Sequence, residues 1–300
     1  VLFRSLGKLA IDLNEKLRDQ EYTCRVIGAY CALTHHLNFH WSSLENWYLK
    51  GVKAGFISGD IFYLAYNAGN FTLFNPKISL KELIEKQLNS FAIVVDTKYE
   101  DAYDTYVTFL QKYRNFQELT SDLYSLSDEQ YNEEIRLNKM LERKYFTGIS
   151  IFYFHKTDIC LFYDNFEKAY QYVKKTDTVE KAFIGLPYVT LFSAAAFYTA
   201  SGYYSNKTVT SVKKSELWKR MVKELKKMER WAKHNPTNYL HTLLTMKAEM
   251  AKHNKKFQLA ADLYNQAIFH AKNNEWIRDE AFANELAAKF YLSLNQEKAA

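Results

Sequence analysis

The sequence predicts an all-α protein, and three observations support this prediction. Helical periodicity runs through most of the 300 residues, and no strand-like alternation of apolar and polar residues lasts more than a few positions. Only nine Gly and three Pro are available to interrupt helices. The third observation is an alanine-centred pattern near the end of the chain that recurs at a fixed spacing.

This pattern matches the small and aromatic positions of a tetratricopeptide-type helix pair. Its members are Ala248, Phe257, Ala260, Tyr264 and Ala267, and two of the small positions recur 39 residues later as Ala287 and Ala299. A single helix pair cannot bury its apolar face alone, so repeated pairs stack on one another. The sequence therefore predicts a tetratricopeptide-like superhelical stack of antiparallel helix pairs.

The composition is compatible with a stack of this kind that forms a single domain. An apolar content of 48% is enough for a continuous core, and a repeat stack can grow as one body. We therefore expect a single elongated domain over residues 1–300, as a fragment of a larger protein, with a soft division near 118–130 and a linker at 205–212. Three cysteines are too few for a disulfide framework and no leader segment is evident, so we expect a cytoplasmic location.

The first half of the chain predicts three groups of helices. A first pair covers about 20–56, with Ser42 or Ser43 as a helix N-cap and Gly59 as the stop. A second pair runs from Asp60 to about Asp96 and is broken at Asn75-Pro76. A further helix covers about 99–117.

An acidic segment follows at residues 118–134, with six carboxylates and no Lys or Arg. Ser127 near its end is the expected start of a helix over about 128–144. Helices are then expected at about 148–164 and 166–175, the last resembling the second helix of a repeat.

Residues 182–206 contain no charged side chain, and this length of 25 residues would suffice for a membrane span. The segment also contains several Ser, Thr and Tyr residues, which favour the other interpretation, a fully buried helix over about 182–204. The sequence SNKTVTSV predicts a linker after it. Ser211 or Ser215 is the expected cap of a basic helix that ends at His234-Asn235-Pro236.

The basic helix carries much of the charge of the chain. Residues 213–256 hold 13 Lys or Arg against four Glu. One apolar face is predicted from helical spacing, formed by Trp218, Met221, Val222, Leu225, Met228, Trp231 and Ala232. The opposite face is a candidate partner-contact surface, formed by Lys219, Lys223, Lys226, Lys227 and Arg230.

Such a face could meet nucleic acid, an anionic membrane surface or an acidic protein, or it could be only the solvated exterior of a helix. No aromatic residue lies among these cations, which disfavours binding of single-stranded nucleic acid by base stacking. We therefore expect protein partners, with nucleic acid and membrane disfavoured.

Catalytic motifs are not evident in the sequence. Phosphate-binding loops, a dinucleotide-binding glycine motif and a GxSxG nucleophile turn are all missing. His36 and His40 have the i, i+4 spacing of zinc ligands, but no Glu follows His36 and no third ligand is placed by a known spacing. Cys160 lies in an apolar aromatic helix, where a thiol is usually inert. The sequence predicts no catalytic residue, no metal and no cofactor.

Three stretches resemble the helical region of very large multidomain sensor kinases. They are NPTNYLHTLLTMKAEMAKHNKKFQLAADLYNQAIFHAKNNEWIRDEAFANELAAKFYLSLNQEKAA, WSSLENWYLKGVKAGFISGDIFYLAYNAGNFTLF and NFQELTSDLYSLSDEQYNEE. In those proteins a serine/threonine kinase-like domain and an AAA-type or STAND-type ATPase precede this region, and a GAF domain and a histidine kinase follow it. None of the enzymatic motifs of that family falls within this chain.

The resemblance implies a non-catalytic scaffold that relays signals between an ATPase module and a sensor kinase module through protein contacts. A stack of helix pairs can transmit partner binding as a change of curvature. The alternative is a free-standing receptor that holds a peptide in a tetratricopeptide-type groove. A third class is an enzyme with an unrecognised helical active site, for which the sequence offers no convergent acid, base and nucleophile.

Overall fold

The computed structural model describes residues 2–71 and 73–295 of the chain, and helices form its regular secondary structure. No strand occurs within these ranges, and consecutive helices pack as adjacent pairs, so the all-α prediction is confirmed. The helices are α1 (Leu2–Leu17), α2 (Thr23–Tyr30), α3 (His36–Asn38), α4 (Leu44–Ser58), α5 (Ile61–Asn70), α6 (Leu80–Asp96), α7 (Glu100–Asn115), α8 (Glu133–Glu142), α9 (Phe146–Phe162), α10 (Phe166–Asp177), α11 (Tyr188–Ser205), α12 (Ser211–His234), α13 (Pro236–His253), α14 (Phe257–Asn273) and α15 (Ile277–Ser293). A π-helical turn at Cys31–His35 joins α2 to α3, and short 3₁₀ turns occur at Trp41–Ser43 and Glu180–Phe183.

Helix ends marked by glycine or proline lie where the sequence predicts them. Gly59 follows α4 in the left-handed conformation with φ of 72°, which a glycine adopts without steric cost. The break at Asn75-Pro76 separates α5 from α6. Pro236 is the first residue of α13, so α12 ends where predicted.

Two predicted helix starts are wrong. Helix α8 begins at Glu133 rather than after Ser127, because the Asn132 side chain accepts hydrogen bonds from the N–H groups of Glu134 and Ile135 at 3.1 and 3.0 Å. Helix α11 begins at Tyr188 rather than Ala182, because Gly185 turns the chain with φ of 85°. The cap of α12 is Thr210, one residue before the nearer predicted serine.

The chain forms two compact units. Unit 1 comprises Val1–Asn75 and Leu80–Leu191, and unit 2 comprises Pro76–Ser79 and Phe192–Ala300. The division falls inside α11, whereas the acidic segment lies within unit 1 and residues 205–212 lie within unit 2. The core of unit 1 includes Tyr106, Leu126, Met140, Phe152 and Ile159.

Helix α11 is largely buried, as the second interpretation of residues 182–206 predicts. Ala196, Phe197 and Ala200 have no exposed surface. Among the described residues, no helix combines the length and the apolar character needed to cross a membrane.

The predicted repeat positions form the core of unit 2. Ala248, Ala260, Tyr264 and Ala267 are fully buried, and Ala287 is nearly so. The prediction is less accurate at Phe257, whose side chain is 42% exposed, although its ring lies 6.3 Å from that of Phe290. Ala299 lies outside the described residues.

Successive helices end in the same kind of turn. The residues after the C-caps of α13 and α14 are Lys255 and Glu275, with φ of 57° and 56°. At the first turn, Lys255 N–H donates to Lys252 O at 3.0 Å and Lys256 N–H donates to Ala251 O at 2.9 Å, the two hydrogen bonds of a Schellman motif. Lys144 and Asp164 occupy the equivalent position after α8 and α9. Both pairs are 20 residues apart, so two helices span about 40 residues, against 34 in a tetratricopeptide repeat.

We expect Lys255→Gly to raise the free energy of unfolding by about 0.5–1 kcal/mol. A side chain in the left-handed region costs about 1–2 kcal/mol, and glycine removes this strain. Part of the improvement is offset because glycine loses more conformational entropy on folding. Urea denaturation measures the change. The matched control is Lys272→Gly, in the last turn of α14, which should lower stability by about 1 kcal/mol. Equal losses in both variants would contradict the assigned strain.

Candidate partner-binding surface on α12

Helix α12 is held in place at both ends. The Thr210 side chain accepts a hydrogen bond from Lys213 N–H at 3.3 Å, which caps the first turn. At the other end the Asn235 side chain accepts from Asn238 N–H at 3.3 Å and so caps the next helix, α13. The 24 residues between these caps therefore form one continuous helix on unit 2.

The inner face of α12 follows the predicted apolar pattern only in part. Met221, Met228 and Ala232 are buried, and the other predicted members are half-buried. Two charged residues that do not belong to the predicted apolar face, Arg220 and Glu224, are buried as well. They lie on the buried side because 217, 220, 224 and 228 are three or four residues apart. The sequence signal for this buried ion pair is a carboxylate at a position spaced with the apolar face and with cations on the neighbouring turns.

Four of the five predicted contact residues are exposed. They are Lys219, Lys223, Lys226 and Arg230, and none of them forms an ion pair with another described residue. Lys227 differs, because it is half-buried and its Nζ lies 3.0 Å from Glu224 Oε2. The structure therefore separates Lys227 from the other four.

Lys233 extends the exposed set. It is exposed and lies on the same side of the helix, since offsets of 0, 4, 7, 11 and 14 residues follow one line along an α-helix. We call this line the basic stripe; it comprises Lys219, Lys223, Lys226, Arg230 and Lys233. At 1.5 Å per residue it is about 21 Å long.

The acidic residues of α12 do not neutralise the basic stripe. Glu216 pairs with Lys213 at 3.1 Å, and Glu229 pairs with Lys247 of α13 at 3.1 Å. Glu224 is fully buried, with its carboxylate 2.9 Å from Arg220 Nε. The stripe consequently presents uncompensated positive charge to solvent.

Beneath the stripe, Glu224 links α12 to α11. Its Oε2 accepts a hydrogen bond from Ser193 Oγ at 2.8 Å in addition to the ion pair with Lys227. A buried carboxylate with a hydrogen bond and two nearby cations is compensated for its loss of solvation. This cluster fixes the rotation of α12, and hence the direction in which the stripe faces.

A second buried carboxylate, Glu249 of α13, accepts hydrogen bonds from Ser201, Lys252 and Tyr264. Burial by itself would raise the pKa of Glu249, but the Lys252 ammonium and the three hydrogen bonds outweigh it and hold the pKa below the usual value. His253 Nε2 also lies 2.8 Å from Ser201 Oγ. Burial lowers the pKa of His253 to about 4.

These residues include the Ser, His and Glu of a nucleophile triad but not its arrangement. In a triad the histidine lies between the serine and the carboxylate, whereas here Ser201 contacts both of the other groups. Ser201 is also only 1% exposed, which denies a substrate access to its hydroxyl. The network therefore serves to join α11, α13 and α14.

The two histidines that have the spacing of zinc ligands do not form a metal site. His36 is buried, with Nδ1 3.4 Å from Cys31 O, whereas His40 lies at the following 3₁₀ turn with Nδ1 2.7 Å from Ser42 Oγ. Among the described residues no group of three or more His, Cys, Asp and Glu side chains could hold a metal ion. Burial raises the pKa of the Cys160 thiol to about 11, so this side chain stays protonated.

Carboxylates of the acidic segment are used within unit 1. Asp128 pairs with Arg114 at 3.2 Å and accepts backbone hydrogen bonds from Gln130 and Tyr131, both at 2.8 Å. Glu133 pairs with the buried Lys156 at 2.9 Å. These contacts order the segment between α7 and α8.

The chain has no match among protein-family models, and a search of curated proteins also gives none. The resemblance to the helical region of sensor kinases, noted from the sequence, stays a prediction.

Proposed function

We propose that this chain is a non-catalytic helical-repeat scaffold that binds an acidic protein partner through the basic stripe. The observation that carries the proposal is the line of five exposed cations with no ion-pair partner among the described residues. Their positions are fixed because Thr210 caps the first turn of α12, the Asn235 N–H donates to Trp231 O at 2.9 Å at its end, and buried Glu224 anchors the helix.

The geometry favours an acidic helix as the partner. Carboxylates spaced at three and four residues along such a helix would follow the same line, and a length of about 21 Å corresponds to about four turns. Base stacking is disfavoured along the stripe, because no aromatic residue lies between Lys219 and Arg230, and Trp231 is half-buried on the apolar face of the helix. Complementary charge of this kind raises the association rate and selects the partner.

The partner that we propose belongs to the same larger chain. If the resemblance to sensor kinases holds, the neighbours are an ATPase, a GAF domain and a kinase, and the scaffold relays the nucleotide state of the ATPase towards the kinase. We further propose a cytoplasmic location, which is supported by the buried free thiols of Cys24, Cys31 and Cys160.

Calorimetric titration of the chain against the adjoining ATPase segment tests the proposal, with ADP in one titration and a non-hydrolysable ATP analogue in the other. We expect binding in at least one state and a clear difference between the two. The triple variant Lys219→Glu/Lys223→Glu/Lys226→Glu should weaken binding by about 10- to 150-fold, since each reversed charge costs about 0.5–1 kcal/mol at a solvated interface.

The matched control is Lys255→Glu/Lys256→Glu/Lys272→Glu, which makes the same change of net charge at exposed positions of α14 and of the turn before it. It should alter the affinity by less than threefold. Equal weakening by both triple variants would indicate a general charge effect and reject the stripe. Absence of binding in both nucleotide states would reject the relay.

A further inference from the structure

Unit 1 contains a cavity of about 260 Å³ that the proposed scaffold function does not use. Its walls come from α2, the π-helical turn, α4, α5, α7, and from α9 and α11 with the residues just before them. For comparison, an apolar cavity of about 150 Å³ suffices to hold benzene. The cavity therefore has room for a ring system larger than one benzene ring.

Unusual backbone structure forms the walls of this cavity. The π-helical turn Cys31–His35 contributes Ala32 and Leu33, and such turns occur often at functional sites. Gly28 lines the cavity where a Cβ atom would lie 2.8 Å from the Tyr63 ring, so a larger residue would not fit without displacement. Gly185, with φ of 85°, directs the chain so that the next residue, Leu186, also lines the cavity.

The lining is aromatic and uncharged. Rings of Phe62, Tyr63, Tyr66, Tyr145 and Tyr188 contribute to it, and none of its lining residues is Asp, Glu, Lys, Arg or His. A charged ligand would lose its hydration here without gaining a counter-ion. A neutral ligand with an apolar ring surface would instead exchange water for contact with these rings.

A row of hydroxyl groups supplies hydrogen bonds along one side. Tyr145 Oη lies 2.8 Å from Thr105 Oγ1 and 3.3 Å from Tyr66 Oη. Burial raises the pKa of Tyr145 to about 12, so its hydroxyl stays neutral and can both donate and accept. A hydroxyl group can donate one hydrogen bond and accept two, so Tyr145 Oη with these two neighbours can form a third hydrogen bond, to a ligand.

We propose that this cavity is a binding site for a neutral molecule of one or two fused rings that carries a hydroxyl or amide group. The rings bind against the tyrosine and phenylalanine side chains, and the polar group bonds to the hydroxyl row at Tyr145. The site lies in unit 1, and its occupation does not depend on the partner proposed for α12.

Calorimetric titration of the full chain with 2-naphthol tests this proposal, and 2-naphthoate serves as the charged probe on the same rings. We expect one saturable site for 2-naphthol with a dissociation constant of about 100 µM or lower. Binding of 2-naphthoate should be at least tenfold weaker. Equal affinity for the two probes, or no saturable binding of 2-naphthol, would overturn the proposal.

Two variants locate the bound probe. Ala32→Phe fills the cavity and should abolish binding, whereas the control Ala281→Phe, an exposed position of α15, should leave it unchanged. Tyr145→Phe keeps the ring and removes one hydroxyl, so it should weaken 2-naphthol about five- to tenfold. Thermal unfolding of each variant confirms folding. Undiminished binding to folded Ala32→Phe, or to Tyr145→Phe, would overturn the assigned site.

Discussion

Lowering the pH from 7.5 to 5 is expected to destabilise unit 1 by about 6 kcal/mol. The cause is a set of three buried histidines, His35, His36 and His155, of which the first is 3% exposed and the other two are fully buried. Burial lowers the pKa of His35 and His36 from 6.5 to about 4, and lowers that of His155 well below 6.5. The nearby Lys112 ammonium lowers the pKa of His155 further.

The direction of the effect follows from proton binding. Below pH 6.5 these histidines bind protons in the unfolded chain. In the folded chain His35 and His36 stay neutral until about pH 4, and the lowered pKa of His155 keeps it neutral well below pH 6.5. The unfolded state therefore binds more protons over this range, and stability falls as the pH falls. Each histidine contributes about 1.4 kcal/mol per pH unit, or about 2 kcal/mol between pH 6.5 and 5. The sum is comparable with the whole stability of many domains.

Urea denaturation at pH values from 8 to 5 measures this dependence, and hydrogen–deuterium exchange of peptides from unit 1 assigns it. His155→Phe should remove about one third of the slope, because it removes one of the three titrating histidines. A phenyl ring suits this position, since the His155 ring already packs against that of Phe109, with centroids 4.1 Å apart. The control is His234→Gln at the exposed end of α12, which should leave the slope unchanged. A flat profile in the parent chain would contradict burial of these histidines in the neutral form.

Local signals in the sequence were enough for much of the fold. Gly59 and Pro236 act through their own backbone preferences, so the helix boundaries that depend on them were predicted correctly. Ser127 failed as a helix start because residues just after it form a different local structure. Asp128 accepts hydrogen bonds from Gln130 and Tyr131 N–H groups, which holds the chain in a turn until Asn132 caps α8.

Other features depend on contacts that no local pattern contains. The left-handed turns at Lys255 and Glu275 lack the glycine or asparagine that usually marks them. The cavity of unit 1 is formed by residues as far apart as Gly28 and Tyr188. The π-helical turn Cys31–His35 lies inside a continuous helical pattern, and helical periodicity does not distinguish it from α-helix.

The candidate surface on α12 contains residues that a local pattern predicts and residues whose positions depend on distant contacts. Helical spacing alone placed Lys219, Lys223, Lys226 and Arg230 on one exposed face. Lys227 lies apart because it follows Glu224 by three residues and pairs with it. The burial of Glu224 itself depends on Ser193, which is 31 residues away along the chain and therefore outside any helical pattern.

Removing the Glu224 carboxylate is expected to destabilise unit 2 by about 3–5 kcal/mol. In Glu224→Ala the Arg220 guanidinium, whose side chain is 7% exposed, would lose the carboxylate that lies 2.9 Å from its Nε. A buried charge that loses a close counter-ion keeps the cost of desolvation and loses much of the compensating attraction. The Ser193 hydroxyl would lose its acceptor as well.

Two comparison variants distinguish the effect of an uncompensated buried charge from the effect of removing any carboxylate from α12. Glu229→Ala removes a carboxylate from the same helix, but its pair with Lys247 is 45% and 40% exposed, so the loss should be below about 1 kcal/mol. In the double variant Arg220→Met/Glu224→Leu both charges are replaced by apolar groups of similar size, and most of the lost stability should return.

Urea denaturation of these variants, with hydrogen–deuterium exchange of peptides from α12 and α11, provides the measurement. If Glu224→Ala and Glu229→Ala cost the same, the buried cluster contributes nothing beyond a surface pair. The expected order instead makes Glu224 the residue that sets the rotation of α12. In that case Glu224→Ala should also weaken partner binding by the basic stripe, although residue 224 does not belong to the stripe, and the double variant should restore it.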